Sequence, residues 1–363
     1  MKKITVSLAA RSYAIYISQS GKELASLLGP LNLPAQALIM TNRRVRAIAG
    51  SWVTRSLRQA GIAARWLMIP DSEASKSFRI YEKSIQHIAT HHGSRPIFLV
   101  ALGGGVIGDL CGFVAATYRR GIPYIQIPTT LLAQVDSAIG GKTAIDLAEG
   151  KNLVGAFYQP RLVFSFLPVL SRLPQRQLRS GCAELIKYGV IADPTLFAYL
   201  ESAACRILGA DPAALERVIS AASAIKARIV SLDEREDSGL RTILNFGHTV
   251  GHALEAAGSY RRLTHGEAIS IGMLSATDIA TDLGLCDRAF CERLEALIKS
   301  FGLPVRSPQL SPARVMRALR RDKKFVRGRM RFVLPVQAGH VIVTENIPQQ
   351  RISSFIQKRV GAS

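Results

Sequence analysis

Three of the seven histidines in the chain fall within one short window, at residues 248, 252 and 265. His248 and His252 stand four residues apart in the run HTVGHALE, so a helix would place both imidazoles on one face. His265 begins the next helical pattern, HGEAISIGMLSATDIATDLG. Imidazoles from adjacent helices, with a carboxylate nearby, can bind zinc or a similar divalent metal. Histidines that are only hydrogen-bonded within a helical core would give the same pattern, and the window leaves both interpretations open.

A carboxylate among apolar residues stands in an earlier helical pattern, GCAELIKYGVI (181–191). Glu184 and Lys187 lie three residues apart there, so a helix would place them on the same face. In these surroundings the carboxylate is either a partner of the lysine in an ion pair or a metal ligand. Taken alone, the segment favours the ion pair.

A glycine loop follows the apolar run RPIFLVALGGG (95–105). Gly103, Gly105 and Gly108 fit the pattern G-x-G-x-x-G before a predicted helix, whose first amides could hold a pyrophosphate. The standard dinucleotide fingerprint lies on the first strand and is followed by an acidic residue about 20 positions later, and neither condition holds here. A tight turn that only the fold requires is the alternative interpretation.

A second polar loop, QVDSAIGGKTAID (134–146), contains Asp136 and Lys142, and Lys151 and Asn152 follow closely. The GGKT of this loop resembles the end of a Walker A motif, but Asp136 stands where the first glycine of that motif would be, which excludes a P-loop. A lysine on a glycine-lined loop still suits a phosphate or a cofactor hydroxyl. Further groups that could bind an anion flank the histidine window at Lys226, Arg241, Asn245 and the DKK of residues 322–324.

The elements that must position these residues follow from the apolar patterns. Strand-like runs at 36–42, 63–71, 95–105 and 122–130 alternate with helical patterns at 46–61 and 77–93, which predicts a parallel sheet with helices on its faces. Prolines at 160, 168 and 174 mark a connector, and RMRFVLPVQAGHVIVTEN suits a small hairpin. We therefore expect an α/β domain at 1–165 and a mainly helical domain at 166–363, with helices at 176–189, 195–207, 212–232, 241–257, 265–283, 287–300 and 312–321.

The composition sets limits on the class of protein. A chain of 363 residues suffices for two domains, and it has no run of about 18 apolar residues that would predict a spanning helix. The alternation of Ile4, Val6 and Leu8 favours a first strand over a signal peptide. The five cysteines are scattered and contain no C-x-x-C pair, which predicts reduced thiols in a cytoplasm and argues against a cysteine-based zinc site.

The chain is strongly basic, with 47 Lys and Arg against 26 Asp and Glu and a net charge of +21. Its densest basic stretch is 314–331, where Phe325 is the single aromatic residue. Nucleic-acid binding usually combines basic residues with stacking aromatics. The stretch therefore favours a solvated arginine-rich surface over a nucleic-acid interface, and an anionic small-molecule substrate would account for part of the charge.

The motifs taken in order resemble the 3-dehydroquinate synthases, members of the wider sugar-phosphate cyclase family. The resemblance runs from the Arg-Ser-Tyr near residue 12 to the RFVLP near 334. It implies a homodimer with an N-terminal Rossmann-like NAD-binding α/β domain and a mainly α-helical C-terminal domain that binds a divalent metal, zinc or cobalt. The motifs that carry it are GGGVIGD, RRGIPYIQIPTTLLAQVDSAIGGKTAID, KNLVGAFYQP, AELIKYG, DERE, LNFGHTVGHALE and HGEA.

The resemblance also assigns roles to residues. The metal ligands would be Glu184, His248 and His265, while His252 would face the substrate. Arg120 matches an arginine that reaches the phosphate in the neighbouring subunit, so a dimer would be required for full activity. The NAD contacts would be Asp71, Glu73, Lys76, Gly104, Gly105, Val106, Ile107, Gly108, Asp109, Thr129, Thr130, Lys142 and Lys151. The substrate contacts would be Asp136, Lys142, Asn152, Lys187, Lys226, Arg241, Asn245, His252 and one lysine of the DKK, which we place at Lys324.

The reaction that the resemblance implies converts 3-deoxy-D-arabino-heptulosonate 7-phosphate to 3-dehydroquinate and phosphate, the second step of the shikimate pathway. Cyclases that act on glucose 6-phosphate or sedoheptulose 7-phosphate share the scaffold, and a metal-dependent polyol dehydrogenase has a related one. Arg241, Asn245, His252 and the lysine pair favour the dehydroquinate enzyme, which must bind a carboxylate. Two features depart from the family pattern. Cys182 stands where many relatives have an aromatic or aliphatic residue, and the strong basicity has no family explanation.

Overall fold

The computed structural model describes residues 1–93, 95–321, 325–326 and 329–361, and at residues 321, 325, 326, 329 and 349 it describes the backbone only. The chain forms two compact units. The first consists of Met1–Leu173 and Leu215–Arg235, and the second of Pro174–Ala214 and Glu236–Ser363. The chain thus leaves the first unit near the expected connector and returns to it for one segment. The division after residue 165 stays a prediction.

The first unit is built on a seven-stranded sheet in the order β1-β2-β9-β6-β5-β3-β4. Every neighbouring pair in it is parallel except β1 and β2, so the predicted parallel sheet and the predicted first strand are confirmed. Its strands are β1 Lys2–Val6, β2 Tyr13–Ser18, β3 Gln36–Thr41, β4 Ala63–Met68, β5 Phe98–Gly103, β6 Tyr124–Pro128 and β9 Leu162–Phe166, and β7 Lys142–Leu147 pairs with β8 Gly150–Phe157 in a separate antiparallel ribbon.

Helices cover both faces of this sheet because successive strand residues point to opposite sides. Leu38 and Leu99 belong to one buried apolar cluster, whereas Ile39 and Val100 belong to the other. The first cluster also contains apolar residues of α3 and α4, and the second contains those of α1 and α2. The helices are α1 Leu24–Leu28, α2 Arg43–Gln59, α3 Phe78–His92 and α4 Gly105–Thr117.

The carboxyl ends of β3 and β5 form the position in this sheet where a ligand is expected. The chain runs from β3 outward to β4 and then crosses to β5 on the other side of β3. In open α/β sheets, the point where the strand order reverses leaves a crevice at the carboxyl ends of the strands. β5 leads directly through the glycine loop into α4, so this crevice opens at the start of α4.

The second unit is mainly helical. Its described helices are α5 Gln175–Ala192, α6 Pro194–Leu208, α8 His248–Ala257, α9 His265–Asp282, α10 Arg288–Ser300, α11 Pro312–Arg321 and α12 Gln349–Arg359, and α7 Pro212–Leu232 runs from it into the first unit. The predicted hairpin is present as β12 Phe332–Gln337 and β13 His340–Thr344, and the two-residue strands β10 Phe325–Val326 and β11 Arg329–Met330 precede it.

One predicted helix is wrong in its extent. The helix expected at 241–257 is interrupted, since Leu240–Asn245 is a 3-10 segment and α8 begins at His248. Gly247 between them has φ +78, a left-handed conformation that ends the first segment and that side chains other than glycine rarely adopt. The interruption makes His248 the first residue of a helix and not a residue within one.

Candidate active site

Three predicted metal ligands meet in the second unit. Glu184 lies on α5 and is fully buried, while His248 and His265 are the first residues of α8 and α9. The Nε2 atoms of His248 and His265 lie 3.5 and 3.3 Å from Oε1 of Glu184. One donor atom from each residue lies within 4.8 Å of the other two. Residues separated by up to 81 positions in the sequence thus form one cluster.

Glycines allow the three helices to approach this closely. A Cβ at Gly266 would lie 2.1 Å from the Ser180 carbonyl oxygen on α5, and one at Gly272 would lie 2.0 Å from the Gly247 carbonyl oxygen. Both contacts are shorter than real Cβ contacts, so these positions accept only glycine without movement of the backbone. Backbone packing therefore holds the start of α9 against α5 and the start of α8 against α9.

Both imidazoles are oriented through their second nitrogen. Nδ1 of His248 lies 3.0 Å from the carbonyl oxygen of Phe246, and Nδ1 of His265 lies 3.4 Å from Oε2 of Glu255. Each ring thereby turns Nε2 toward Glu184. The 3.3 and 3.5 Å separations match the edge of about 3.4 Å of a tetrahedron with zinc–ligand bonds of 2.0–2.1 Å. The donor set and its spacing therefore fit a divalent metal.

The pKa of His265 reflects the two carboxylates beside it. Burial lowers the pKa of this imidazole, but hydrogen bonds and the charges of Glu184 and Glu255 raise it to about 10. The acidic surroundings would favour a cation of any kind at this position, a proton or a metal ion.

Glu255 is a residue that the sequence analysis missed. It is buried on α8, seven residues after His248 and three after His252, a spacing that places it on the same helix face. Donor atoms of His252, Glu255 and His265 also lie within 4.8 Å of one another, so a second set shares His265 with the first. The i, i+3 spacing in HALE could have drawn attention to Glu255, but its partner His265 lies on another helix.

The remaining predicted residues of the second unit surround this cluster. Lys187 is buried and forms an ion pair with Glu184, so both interpretations of the Glu184–Lys187 spacing stay compatible with the geometry. Arg241 is also buried, with its Nε 3.5 Å from Oε1 of Glu236. Asn245 ends the 3-10 segment and is half-buried. The predicted contact Lys324, like Lys323, lies outside the described residues.

In the first unit, the glycine loop occupies the turn between β5 and α4. Gly104 is the N-cap of α4, and the backbone amide of Thr129, just after β6, donates to the Gly103 carbonyl oxygen at 2.9 Å. A Cβ at Gly108 would lie 2.8 Å from Oε1 of Gln126 on β6, so glycine permits close packing of α4 on the sheet. The predicted loop residues Gly104 to Asp109, with Thr129 and Thr130, therefore lie at the carboxyl ends of two adjacent strands.

Lys76 joins three of the predicted loops of this unit. Its buried ammonium donates to Oδ2 of Asp109 at 2.6 Å and to the side-chain oxygen of Asn152. Burial lowers the pKa of Lys76, but Asp109 and the other nearby carboxylates raise it above its ordinary value. Asp146, which the sequence analysis did not single out, lies 3.9 Å from the same ammonium and accepts a 2.8 Å bond from the Asn152 amide. Its role depends on a partner 70 residues away, a relation that no local pattern shows.

The other predicted dinucleotide contacts lie in loops at the same end of the sheet. Oδ1 of Asp71 accepts from the Asn42 side chain at 2.9 Å, which links the loops that follow β4 and β3. Glu73 lies in the same loop as Asp71, and its Oε1 is 2.9 Å from Nζ of Lys151 on β8. Within the first unit, polar contacts thus join residue 73 to 151 and residue 76 to 109 and 152, while Asp71 is joined to Asn42.

Asp136 and Lys226 form an ion pair. Nζ of Lys226 lies 2.7 Å from Oδ1 of Asp136 and 2.6 Å from its carbonyl oxygen. Lys142 is exposed at the start of β7. Arg120, just after α4, is exposed with φ 64. The predicted substrate residues are therefore divided, with 120, 136, 142, 152 and 226 in the first unit and 187, 241, 245 and 252 in the second.

Comparison with known proteins assigns the family. Residues 66–180 match the family description 3-dehydroquinate synthase N-terminal, and residues 181–325 match 3-dehydroquinate synthase C-terminal. The chain belongs to the 3-dehydroquinate synthase family. A 3-dehydroquinate synthase from Desulforamulus reducens is 43% identical over 99% of this chain and 100% of its own length. Another from Symbiobacterium thermophilum is 46% identical, covering 96% of this chain and 98% of its own.

Solved structures of related cyclases have the same fold. The 2-epi-5-epi-valiolone synthase of Streptomyces hygroscopicus subsp. jinggangensis, with NAD+ and Zn2+ bound, is 27% identical with a TM-score of 0.86, covering 95% of this chain and 96% of its own. A 2-deoxy-scyllo-inosose synthase complexed with carbaglucose-6-phosphate, NAD+ and Co2+ is 26% identical with a TM-score of 0.89, covering 99% and 100%. The resemblance, the expected enzyme class and the expected fold, a Rossmann-like unit with a mainly helical unit, are confirmed. Each helix in the described part of the chain is too short or too polar to span a lipid bilayer.

Proposed function

We propose that the chain converts 3-deoxy-D-arabino-heptulosonate 7-phosphate to 3-dehydroquinate and phosphate, with NAD and a divalent metal, zinc or cobalt, as cofactors. The observation that carries the proposal is the cluster of Glu184, His248 and His265, the first two of them buried, in a chain that aligns along its length with 3-dehydroquinate synthases. A set of two histidines and one carboxylate is also the ligand set of several catalytic zinc sites.

Glu184, His248 and His265 would hold the metal. Three protein ligands leave positions open for substrate hydroxyls, and a bound metal would make the hydroxyl that is to be oxidised more acidic. Lys187 adds a positive charge beside Glu184, which would stabilise negative charge that develops on the substrate oxygen. Its complete burial excludes water from this charge and strengthens its effect.

The dinucleotide would bind at the carboxyl ends of β3 and β5. The first backbone amides of the 104–109 segment would hold its pyrophosphate at the start of α4, where the helix dipole favours an anion, while the Gly108 amide already donates to the Gly104 carbonyl oxygen. When bound, NAD would accept a hydride from the substrate and later return it, so the reaction has no net oxidation. Asp71, Glu73, Lys76, Thr129, Thr130, Lys142 and Lys151 would complete this site. All of these residues belong to the first unit, and we propose residues 1–165 as the NAD-binding domain.

The substrate residues would bind anionic groups and control a proton. Lys142, Arg120, Lys226, Lys324 and Arg241 are cations that would hold the phosphate and the carboxylate of the substrate. Asp136 and Asn152 would bind hydroxyls, since a carboxylate or amide oxygen that accepts from a lysine can accept a further hydrogen bond. His252 is exposed at the metal cluster and would face the substrate. Asn245, which follows Arg241 closely in the sequence, would also contact the substrate. The substrate loses a proton when its phosphate is eliminated, and the phosphate itself can accept that proton.

We also propose a homodimer in which Arg120 contacts the substrate of the neighbouring subunit. Its exposure, and its left-handed backbone in a short segment after α4, suit an outward contact.

The five cysteines are free thiols, and three of them are buried, which suits a location in the reducing cytoplasm.

The assay supplies the heptulosonate phosphate with NAD and zinc or cobalt and follows phosphate release and dehydroquinate formation. We expect stoichiometric phosphate and dehydroquinate without accumulation of NADH. Glucose 6-phosphate and sedoheptulose 7-phosphate serve as comparison substrates. Turnover of either sugar phosphate without turnover of the heptulosonate would assign another cyclase activity, and accumulation of NADH from a polyol would indicate a dehydrogenase.

A further inference from the structure

Glu255 lies beside the proposed metal ligands but has no role in the reaction as proposed above. Its carboxylate is buried on α8, and Oε2 lies 3.4 Å from Nδ1 of His265. A buried carboxylate is costly unless a donor group pairs with it. The His265 ring supplies such a donor when Nδ1 carries the proton.

Glu184 and Glu255 face different nitrogens of His265. Nε2 lies 3.3 Å from Oε1 of Glu184, which belongs to the set with His248. Nδ1 lies 3.4 Å from Oε2 of Glu255, which belongs to the set with His252. A neutral imidazole has one nitrogen that can bind a metal and one that carries a proton. The group that accepts a hydrogen bond from the protonated nitrogen therefore determines which nitrogen, and so which ligand set, binds the metal.

His248 shows the same arrangement with a different partner. Its Nδ1 lies 3.0 Å from the carbonyl oxygen of Phe246, and its Nε2 lies 3.5 Å from Oε1 of Glu184. A backbone carbonyl can only accept, so Nδ1 of His248 carries the proton and Nε2 is left for a metal. Both rings therefore present Nε2 to Glu184 when Glu255 accepts from His265.

We propose that Glu255 is a positioning residue that accepts the Nδ1 proton of His265 and thereby selects Glu184, His248 and His265 over His252, Glu255 and His265 as the metal ligands. The inference rests on the metal site of the proposed function. Carboxylates that orient a ligating histidine in this way change metal affinity by about 10–100-fold when they are removed.

The test measures zinc affinity and stoichiometry of the full chain by competition with a chromophoric chelator. Glu255→Ala should weaken zinc binding by about 10–100-fold while one zinc still binds per chain. Glu255→Gln keeps an acceptor oxygen of similar reach and should weaken it by less than about tenfold. Glu292→Ala removes an exposed carboxylate on α10 and is the control for the loss of one negative charge.

Two further measurements separate positioning from ligation and from folding. The 15N chemical shifts of the zinc-loaded wild type should show that His265 is protonated at Nδ1. Thermal unfolding of the metal-free variants reports their stability, and a lower Tm for Glu255→Ala with unchanged zinc affinity would overturn the inference. Binding of two zinc ions, or a loss of affinity in His252→Ala equal to that in His248→Ala, would also overturn it by making Glu255 a ligand.

Failure of the inference and failure of the proposed metal site are distinguishable. If Glu184→Ala and His248→Ala lose zinc while Glu255→Ala binds it normally, the metal site stands and only the role of Glu255 falls. If Glu184→Ala and His248→Ala bind zinc as the wild type does, the metal site falls and the role of Glu255 falls with it.

Discussion

His248 and His252 lie one turn apart on α8 but in different surroundings. His248 is the first helical residue, is buried, and points Nε2 toward Glu184. His252 is exposed, with its ring centroid 5.2 Å from that of His248. Spacing alone would have treated the two residues as equivalent ligands. The surroundings instead favour His248 for the metal, and the exposure of His252 favours a contact with the substrate.

Substitution of these residues should therefore have unequal effects. Glu184→Ala, His248→Ala and His265→Ala should each lower zinc affinity by at least about 100-fold, since the loss of a ligand exceeds the effect of losing a residue that only orients one. His252→Ala should keep the metal and lower kcat. Equilibrium dialysis with metal analysis, alongside steady-state kinetics, checks both expectations. Equal metal loss in His252→Ala and His248→Ala would contradict the proposed ligand set.

At the scale of elements, the start of α9 is held by a capping box and an ion pair. Thr264 accepts from the Glu267 amide, and Glu267 accepts in return from the Thr264 amide at 2.7 Å. Arg176, at the start of α5, donates to both carboxylate oxygens of Glu267 at 2.8 and 2.7 Å. These contacts connect the helix that carries Glu184 with the helix that begins at His265. The elements thus position the two ligands relative to each other.

The contribution of Glu267 should depend on pH. Burial raises the pKa of this carboxyl group, but Arg176 and the Thr264 amide lower it below its ordinary value of 4.5. A lowered pKa stabilises the folded state above about pH 4.5, and that stabilisation is lost as the pH falls through the folded-state pKa. Glu267→Gln should lower the free energy of unfolding by about 1 kcal/mol at pH 7. Denaturant unfolding at pH 3.5 and 7 checks this, and an equal difference at both pH values would contradict it.

A buried ion pair joins the C-terminal helix α12 to α9. Asp278 on α9 accepts from Nε of Arg359 at 2.6 Å and from Nη2 at 3.1 Å, and both side chains are less than a tenth exposed. Burial lowers the pKa of Arg359, but Asp278 and Glu295 raise it, so the guanidinium stays charged. Removal of Asp278 would leave the buried guanidinium with Glu295, 2.8 Å from Nη1, as its remaining carboxylate partner, so its charge would be only partly compensated.

Asp278→Asn should accordingly lower the free energy of unfolding by about 2 kcal/mol. Asp282→Asn is the matched control, because Asp282 lies one turn later on α9 and pairs with Arg351 of α12 at 2.6 Å with both side chains exposed. Its loss should change the free energy of unfolding by less than about 1 kcal/mol. Similar effects of the two substitutions in denaturant titrations would show that burial does not decide the strength of the pair.

At the scale of the whole molecule, the proposed dimer makes a prediction that a monomer cannot satisfy. Arg120→Ala and Glu184→Ala should each be inactive if Arg120 serves the neighbouring site. In a mixed dimer of the two variants, one site would carry both defects and the other would carry neither. Random reassociation should therefore restore about 25% of wild-type activity, since about half of the dimers are mixed and each has one intact site.

Steady-state activity after co-refolding equal amounts of the two variants measures this recovery. Mixing Glu184→Ala with His248→Ala is the control. Both residues serve the site of their own subunit, so each site of the mixed dimer would keep one defect and no activity should return. Recovery equal to that of the control would show that Arg120 acts within its own subunit or outside the site. Zinc binding by the unmixed Arg120→Ala variant should match the wild type.

The secondary structure was predictable where a local pattern decides it. The helices at 212–232 and 312–321 were predicted with the bounds that the structure has, because their apolar periodicity is uninterrupted. The predicted helix at 241–257 was wrong in extent because Gly247 adopts a left-handed conformation where its segment packs against α9. A Cβ there would lie 2.6 Å from Cγ of Met273, a contact that no window around residue 247 contains.

The family, the parallel sheet and the residue types of the site were all predictable, because long motifs and apolar periodicity are properties of contiguous residues. Contacts between distant elements set which nitrogens of His248 and His265 face Glu184 and which carboxylate faces the other nitrogen of His265. They also place Asp146 and Lys76 in one network. These relations depend on atoms brought within about 4 Å by helix crossing and strand order, and such distances are set by packing between elements that are far apart in the chain.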